Sequence, residues 1–445
     1  MIYFLYDMAL LAAAPVILFL VLSRGWRRGR KREGLGERLG FIAEEKRARL
    51  AGRDVIWVHA VSVGETMAVK PLLRALKGRF PRKAIVLSTV TETGQSIAAT
   101  LADVDVPLYF PFDYGFAVGR AFSQIRPSLV VIMETEIWPN FVRGARQRGI
   151  PVVMVNGRIS DRSSRRYEKL RWFFGPVLAN FAALCMQSTE DARRITAAGA
   201  PGDRVMVAGN LKYDLPPVEL SREERASLRD GYRLPASVKV FTAGSTHAGE
   251  EELVVAAYRE LLAQDPESFL VLVPRHPERA AQVGALVESA GLACTYRSRL
   301  EEGRGTLAAG GVLLVDTVGE LLRFYAVSDL VFVGGSLVPT GGHNLLEPAA
   351  CGVPVLFGPC MDNFREITAL VLSAACGVQV RDGEELASQT AALLADRERS
   401  MAMGERGLAL IREQSGATDR HLAVLASYLA DDPAETIDKS DVNLK

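Results

Sequence analysis

From residue 55 onward, short runs rich in β-branched residues alternate with longer amphipathic segments, and that alternation restricts the chain to one class of fold. The runs VIWVHAV, AIVLSTV, VPLYF, SLVVIME, IPVVMVN and ALCMQS are separated by helical patterns such as Thr66 to Arg79. Strands joined through helices pair in parallel and are covered on both faces, so the pattern predicts a doubly wound α/β sheet. It lapses between about Pro216 and Pro235, a polar stretch containing SREER, then resumes with VKVFTAG, FLVLVP, GVLLVD, DLVFVGG and VPVLFG. The lapse reads as an interdomain linker. A chain of 445 residues is too long for one ordinary core. Two Rossmann-like halves follow, 55–215 and 237–430, joined by 216–236 and trailed by a loose tail, 431–445. In such a pair the ligand is expected in a cleft between the halves, at the carboxyl ends of the strands. The final helical segment, Ala417 to Leu429, could pack on either half.

Basic and acidic residues nearly cancel, 53 against 52, so no global positive field exists to hold a nucleic-acid backbone. Cys185, Cys294, Cys351, Cys360 and Cys376 are scattered and contain no C-x-x-C pair, which argues against a disulfide framework and a zinc site. The N-terminus departs from a soluble pattern: Ile2 to Leu22 is almost wholly apolar apart from Asp7, about the length that spans a bilayer. Arg24, Arg27, Arg28, Arg30, Lys31 and Arg32 follow, with Trp26 among them as an interface anchor. Positive charge after the apolar run predicts an uncleaved anchor helix, 1–23, a basic juxtamembrane segment, 24–54, and a cytoplasmic body on the inner membrane. A helix lying in the interface is the alternative, because Asp7 and Pro15 weaken the span. The basic cluster reads both as a topology signal and as a surface for anionic headgroups.

Chemistry is concentrated in loops at strand ends. FVGGSLVPTGGHNLLEPAACGVPVLFGP, residues 332–359, reads as strand, glycine-rich loop, helix and strand. Gly334, Gly335, Gly341 and Gly342 would let backbone amides approach a ligand, and a helix beginning near His343 would point its N-terminus at a phosphate. Glu347 could hold both hydroxyls of a ribose. In PRHPER, Arg275 and His276 emerge at a strand end, where a guanidinium suits a phosphate. DTVGEL carries Asp316 and Glu320, and its Val318 to Glu320 backbone could read a base edge. Ser245 and Thr246 in AGSTHAGEE read chiefly as N-caps.

The first half places carboxylates at the corresponding positions. HAVSVGE runs off a strand through Ser62 and Gly64 to Glu65, where a helix N-terminus favours the ionised form that a general base needs. METEIWP presents Glu134 and Glu136 on one side of an extended segment, suited to sugar hydroxyls. NGRIS and GNLKYD supply Arg158 and Lys212, cations able to steady a carboxylate or phosphate. Asp103 and Asp105 make a D-x-D string, but they precede a strand, the wrong end of the sheet for a ligand-bound metal. His59 reads as a hydrogen-bonded residue near a strand end and His421 as a helix-surface one.

Taken together, HAVSVGE, METEIWP, NGRIS, GNLKYD, STHAGEE, PRHPER, DTVGEL and GGSLVPTGGHN closely resemble the bacterial Kdo (3-deoxy-D-manno-octulosonic acid) transferases of lipopolysaccharide assembly, in order and over nearly the whole chain. The resemblance implies a GT-B glycosyltransferase that moves Kdo from CMP-Kdo to the 6'-hydroxyl of a lipid A precursor with inversion. By that resemblance Glu65 is the proton acceptor, and Glu134 and Lys212 stabilise the transition state. Pro274, Arg275, Val318, Gly319, Glu320, Asn344, Leu345, Leu346 and Glu347 match CMP-binding positions. Gly335 and Ser336 join the donor side, and Ser62, Gly64, Glu136 and Arg158 the acceptor side. No metal and no cofactor are expected, and the partners are the two substrates and membrane lipid. A UDP-N-acetylglucosamine transferase would share the glycine-rich loop but not METEIWP and HAVSVGE together. A dinucleotide-dependent oxidoreductase would need G-x-G-x-x-G after the first strand, where HAVSVGETMA has one glycine. A non-catalytic membrane adaptor gives no reason for so many polar strand-end loops.

Overall fold

A computed structural model describes residues 2–27, 34–234, 238–302 and 307–429, with residues 16–27 and 301 as backbone alone. The chain divides into two units, the first running to Asp214 and including Gly416 onward, the second spanning Leu215–Ser415. Among the described residues each carries a seven-stranded parallel sheet. The first contains β1 (Val55–His59), β2 (Ala84–Thr89), β3 (Val106–Tyr109), β4 (Pro127–Met133), β5 (Val152–Gly157), β6 (Ala183–Met186) and β7 (Val205–Val207) in the order β3-β2-β1-β4-β5-β6-β7. The second contains β8 (Val240–Thr246), β9 (Phe269–Pro274), β10 (Cys294–Tyr296), β11 (Val312–Leu314), β12 (Leu330–Val333), β13 (Val355–Phe357) and β14 (Gly377–Gln379), ordered β10-β11-β9-β8-β12-β13-β14.

The strand sequences account for this arrangement. Val55 and Trp57 enter one core of the first unit while Ile56 and Val58 enter the other, so a continuous apolar run serves both faces of one sheet. Trp57 is fully buried, edge-on to Phe122 and Phe141; truncating it to alanine would cost roughly 3–5 kcal/mol. β8 and β9 do the same in the second unit, with Phe241 and Leu270 on one side and Val240 and Phe269 on the other. In each sheet the strand order reverses next to a central strand, between β1 and β4 and between β8 and β12. Loops diverge at those two switch points and leave room for a ligand.

Two expectations are corrected, and the membrane-spanning anchor is not supported. The polar lapse holds a helix, Arg222–Gly231, opened by a full capping box between Ser221 and Glu224; its Arg229 is buried and donates to the Val327 carbonyl and to Asp329. The segment is thus part of the second unit. The helix Ala417–Ala426, assigned with 237–430 to the second half, belongs to the first unit, where Ala417 and Leu425 join the core. Lastly, among the described residues no helix is long and apolar enough to cross a membrane. The N-terminal helix, Ile2–Arg27, instead meets the first unit through polar contacts. Asp7 accepts from the Asn140 side chain at 2.6 Å, the Tyr6 hydroxyl donates to Asp113 at 2.9 Å, and the Asn180 amide donates to the Tyr3 hydroxyl at 2.8 Å. The charge that weakened the span is thereby satisfied against protein. The side chains of Arg24, Trp26 and Arg27, the residues Arg28, Arg30, Lys31 and Arg32, and the tail 431–445 lie outside the described set.

Candidate active site

At the switch point of the first unit, β1 leads into the helix Val63–Arg79, whose N-cap is Ser62. Glu65 folds back over that cap: one carboxylate oxygen accepts the Val61 amide at 2.8 Å and the other the Ser62 hydroxyl at 3.0 Å. Only 8% of Glu65 is exposed. Burial raises its pKa above the ordinary carboxylate value, aided by the charge of Glu134 and opposed by the Val61 amide, Ser62 and Lys212. The ionised form that the helix N-terminus favours is therefore opposed by burial, which outweighs the Val61 and Ser62 bonds. The shift still suits a general base, which works best when its pKa approaches the operating pH. Gly64 keeps the surface before Glu65 open, since a Cβ there would approach only Ser62.

β4 delivers the other carboxylates. Glu134 follows it with a left-handed backbone (φ 52°), costly for a residue with a Cβ and common where function fixes geometry. Its carboxylate receives the Lys212 ammonium at 2.8 Å. Lys212 is presented by the short turn Leu211–Tyr213, whose start is fixed by Asn210 and by the Asn156 side chain, which accepts the Leu211 amide at 2.9 Å. Asn156, itself at φ 56°, donates its backbone N–H to Nε2 of His421 at 2.9 Å. His421 Nδ1 then carries the proton and donates to the Ala417 carbonyl at 2.7 Å. His421 is therefore fully buried rather than on a helix surface, and burial lowers its pKa to about 4, so it is neutral. His59 is also buried and neutral, its Nδ1 bonded to the Ser88 carbonyl at 3.0 Å.

Glu136 and Arg158 line a cavity of about 230 Å³ with Glu134, Thr135, Ser160 and Tyr167. Burial pushes Glu136 up to about 7, reinforced by Glu65 and Glu134. Thr135 and Arg158 are tied together, the Arg158 amide donating to the threonine hydroxyl at 3.1 Å. Asp105 of the D-x-D string is occupied by Arg53 at 2.8 Å and Lys77 at 2.5 Å.

In the second unit the glycine-rich loop leaves β12 at the other switch point. Gly334 admits the neighbouring loop after β8, since a Cβ would lie 2.7 Å from the Ser245 carbonyl oxygen. The amides of Gly335 and Ser336, expected on the donor side, are donated with that of Leu337 to the buried Glu250 carboxylate instead. The Ser336 hydroxyl is likewise internal, donating to the Val333 carbonyl and accepting the Gly358 amide. The helix expected from His343 is the five-residue Leu346–Ala350. Leu345 and Leu346 are wholly buried, and Asn344 accepts the Leu346 amide at 3.1 Å.

Arg275, exposed just after Pro274 at the end of β9, is close enough to Glu347 and His343 to act on both electrostatically. Burial first raises the Glu347 pKa, and the Asn344 and Arg275 contributions offset it only in part. His343 and His247 face each other with Nε2 atoms 2.9 Å apart. Burial lowers both, His343 to about 4, so one neutral imidazole donates to the other. Val318 is 85% exposed and Gly319 takes φ 93°, at the tip of DTVGEL. Glu320 turns instead to Arg297 at 2.9 Å, bordering with Tyr232 a separate open cavity of about 710 Å³. Ser245 and Thr246 do not cap the helix Glu251–Gln264; its N-cap position is Glu250. Glu250, Asn156 and His247 were not singled out from the sequence, although STHAGEE displays both Glu250 and His247 at a strand end.

Residues 33–215 match the family model described as 3-deoxy-D-manno-octulosonic-acid transferase (kdotransferase). The chain is 35% identical to the 3-deoxy-D-manno-octulosonic acid transferase of Haemophilus influenzae over 96% of its own length and 98% of that protein. It is 33% identical to the enzyme of the same name from Bordetella pertussis, over 95% and 99% respectively. Among solved structures, the C-terminal CMP-Kdo binding domain of WaaA from Acinetobacter baumannii is 33% identical, with a TM-score of 0.38, covering 43% of this chain and 96% of that domain. Two parallel-sheet α/β units with acidic and cationic side chains at their switch points, and these relatives, make the protein a glycosyltransferase. The chain belongs to the Kdo transferase family.

Proposed function

We propose that the protein transfers Kdo from CMP-Kdo to the 6'-hydroxyl of a lipid A precursor, inverting the anomeric centre. The observation that carries this reading is the grouping of buried Glu65 with the Glu134–Lys212 pair at the switch point of the first unit. Glu65 takes the hydroxyl proton as that oxygen bonds to the anomeric carbon, and the bond from that carbon to the CMP phosphate oxygen breaks, CMP leaving with the electron pair. Such base assistance is worth roughly a hundred to ten thousandfold. Lys212, held by Glu134, supplies fixed positive charge for the transition state without reorganisation.

Arg275, Asn344 and Glu347 are the donor-side groups, with Arg275 suited to the phosphate and Glu347 to the ribose hydroxyls. The leaving group carries one phosphate, so this reading uses fixed cations and assigns neither a metal nor a cofactor. A lipid acceptor calls for a membrane seat. The N-terminal helix exposes Phe4, Leu5, Met8 and Leu11 while its polar groups bind the body, which supports an interfacial helix; the arginines after the apolar run favour the cytoplasmic face of the inner membrane.

The test is incubation of detergent-purified protein with CMP-Kdo, generated in place, and a tetraacylated lipid A precursor, followed by mass analysis of the lipid. A mass gain of one or more Kdo units is expected, and the ladder counts the sugars. Unmodified lipid with folded protein and intact donor would reject the proposal.

A further inference from the structure

A carboxylate already occupies the amide nest in which an anion would be sought. Glu250 is fully buried, and both its oxygens are saturated by backbone donors. One accepts the amides of His247 at 3.0 Å and Gly335 at 2.7 Å; the other accepts Ser336 at 2.9 Å and Leu337 at 2.8 Å. Successive amides converging on one point form a positively polarised concavity, and burying a carboxylate there is tolerable only because every lone-pair direction is met. The site lies where β8 and β12 diverge, so Glu250 joins the loops on the two sides of the switch point. The same loops meet again through His247 and His343, whose Nε2 atoms are 2.9 Å apart.

We propose that Glu250 is the positioning residue of the donor loop: its carboxylate is the internal anion around which Gly335 to Leu337 fold, so that Asn344 and Glu347 are presented to the nucleotide in fixed geometry. This rests on the reading of the second unit as the donor side. It follows that the donor's phosphate is received by side chains such as Arg275 and not by the amides of Gly335 to Leu337. Glutamine cannot replace Glu250, because whichever way its amide is turned, its NH₂ faces two backbone N–H donors.

Two measurements on the full chain test this. Calorimetric titration with CMP compares wild type, Glu250→Gln and Arg275→Ala. Glu250→Gln should weaken CMP binding at least about tenfold, the scale of losing a charge-assisted hydrogen bond, and raise KM for the donor more than it lowers kcat. Unchanged CMP affinity and donor KM in folded Glu250→Gln, with Arg275→Ala impaired, would overturn the positioning role while the donor reading stands. No CMP binding by wild type would overturn both. Amide hydrogen exchange on wild type needs no variant to fold. The amides of Gly335, Ser336 and Leu337 should be protected equally with and without CMP; fast exchange that becomes protected only on adding CMP would overturn the proposal.

Discussion

Lys212 places its ammonium 2.8 Å from the Glu134 carboxylate, and the two residues are brought together by strained backbone on one side and a hydrogen-bonded turn on the other. Both side chains are partly open to water, so as a surface pair they contribute little to stability, typically 0–1 kcal/mol. Their value is in chemistry. Lys212→Ala and Glu134→Gln should each lower kcat by about a hundred to a thousandfold, the scale of losing one preorganised electrostatic group. Thermal unfolding measured on the same samples should move by only a few degrees.

Glu136 gives a signed pH dependence. Its pKa in the folded protein is raised to about 7 by burial and by Glu65 and Glu134. A raised carboxyl favours the fold fully below the unfolded value, about 4.3, and loses that contribution as pH rises through about 7. Glu136→Gln, which cannot ionise, should therefore melt above wild type at pH 8, with the gap closing as pH falls toward 5. Melting curves from pH 5 to 9 check this.

The chain from His421 through Asn156 to the Lys212 turn predicts that a residue from the far end of the sequence tunes the first unit. His421→Ala leaves the Asn156 amide without its acceptor, at a cost of about 1–3 kcal/mol. It should also lower kcat about tenfold, by letting the Leu211–Tyr213 turn drift. Glutamine, which can accept from Asn156 and donate onward, should restore part of the rate. Equal rates for the two variants would separate His421 from the site.

Asp7 and Tyr6 hold the N-terminal helix against the first unit. Asp7→Leu combined with Tyr6→Phe should free that helix, seen as faster limited proteolysis within its first turns, while anionic-vesicle binding persists through the apolar surface it retains. Unchanged proteolysis would show that these contacts do not secure the helix.

The sheets were legible because their central strands are apolar and spaced by helices; β7, β10 and β14 are partly exposed edge strands without the apolar run that marks the equally short β11 and β13. The helix at Arg222–Gly231 was obscured by its charged surface, although Ser221 and Glu224 spell a capping box. His421 was misread because helical position alone does not say which unit will cover it. Glu65, Glu134, Glu136 and Lys212 were found as strand-end residues, and the structure brings them together electrostatically. Glu250 was missed for a different reason: three of its four partners are backbone amides some 85 positions away, and no side-chain pattern marks them.

The central claim is that Glu65 is the base, and Glu65→Gln tests it most directly. Glutamine can keep both local contacts, its oxygen accepting the Val61 amide and its NH₂ donating to Ser62, so the helix cap survives while basicity is lost. The rate of Kdo transfer to the lipid acceptor should fall at least about a hundredfold, with CMP affinity and melting temperature close to wild type. A Glu65→Gln enzyme retaining transfer within about threefold of wild type, well short of the loss expected for a general base, would contradict the account and leave Glu65 as a helix cap.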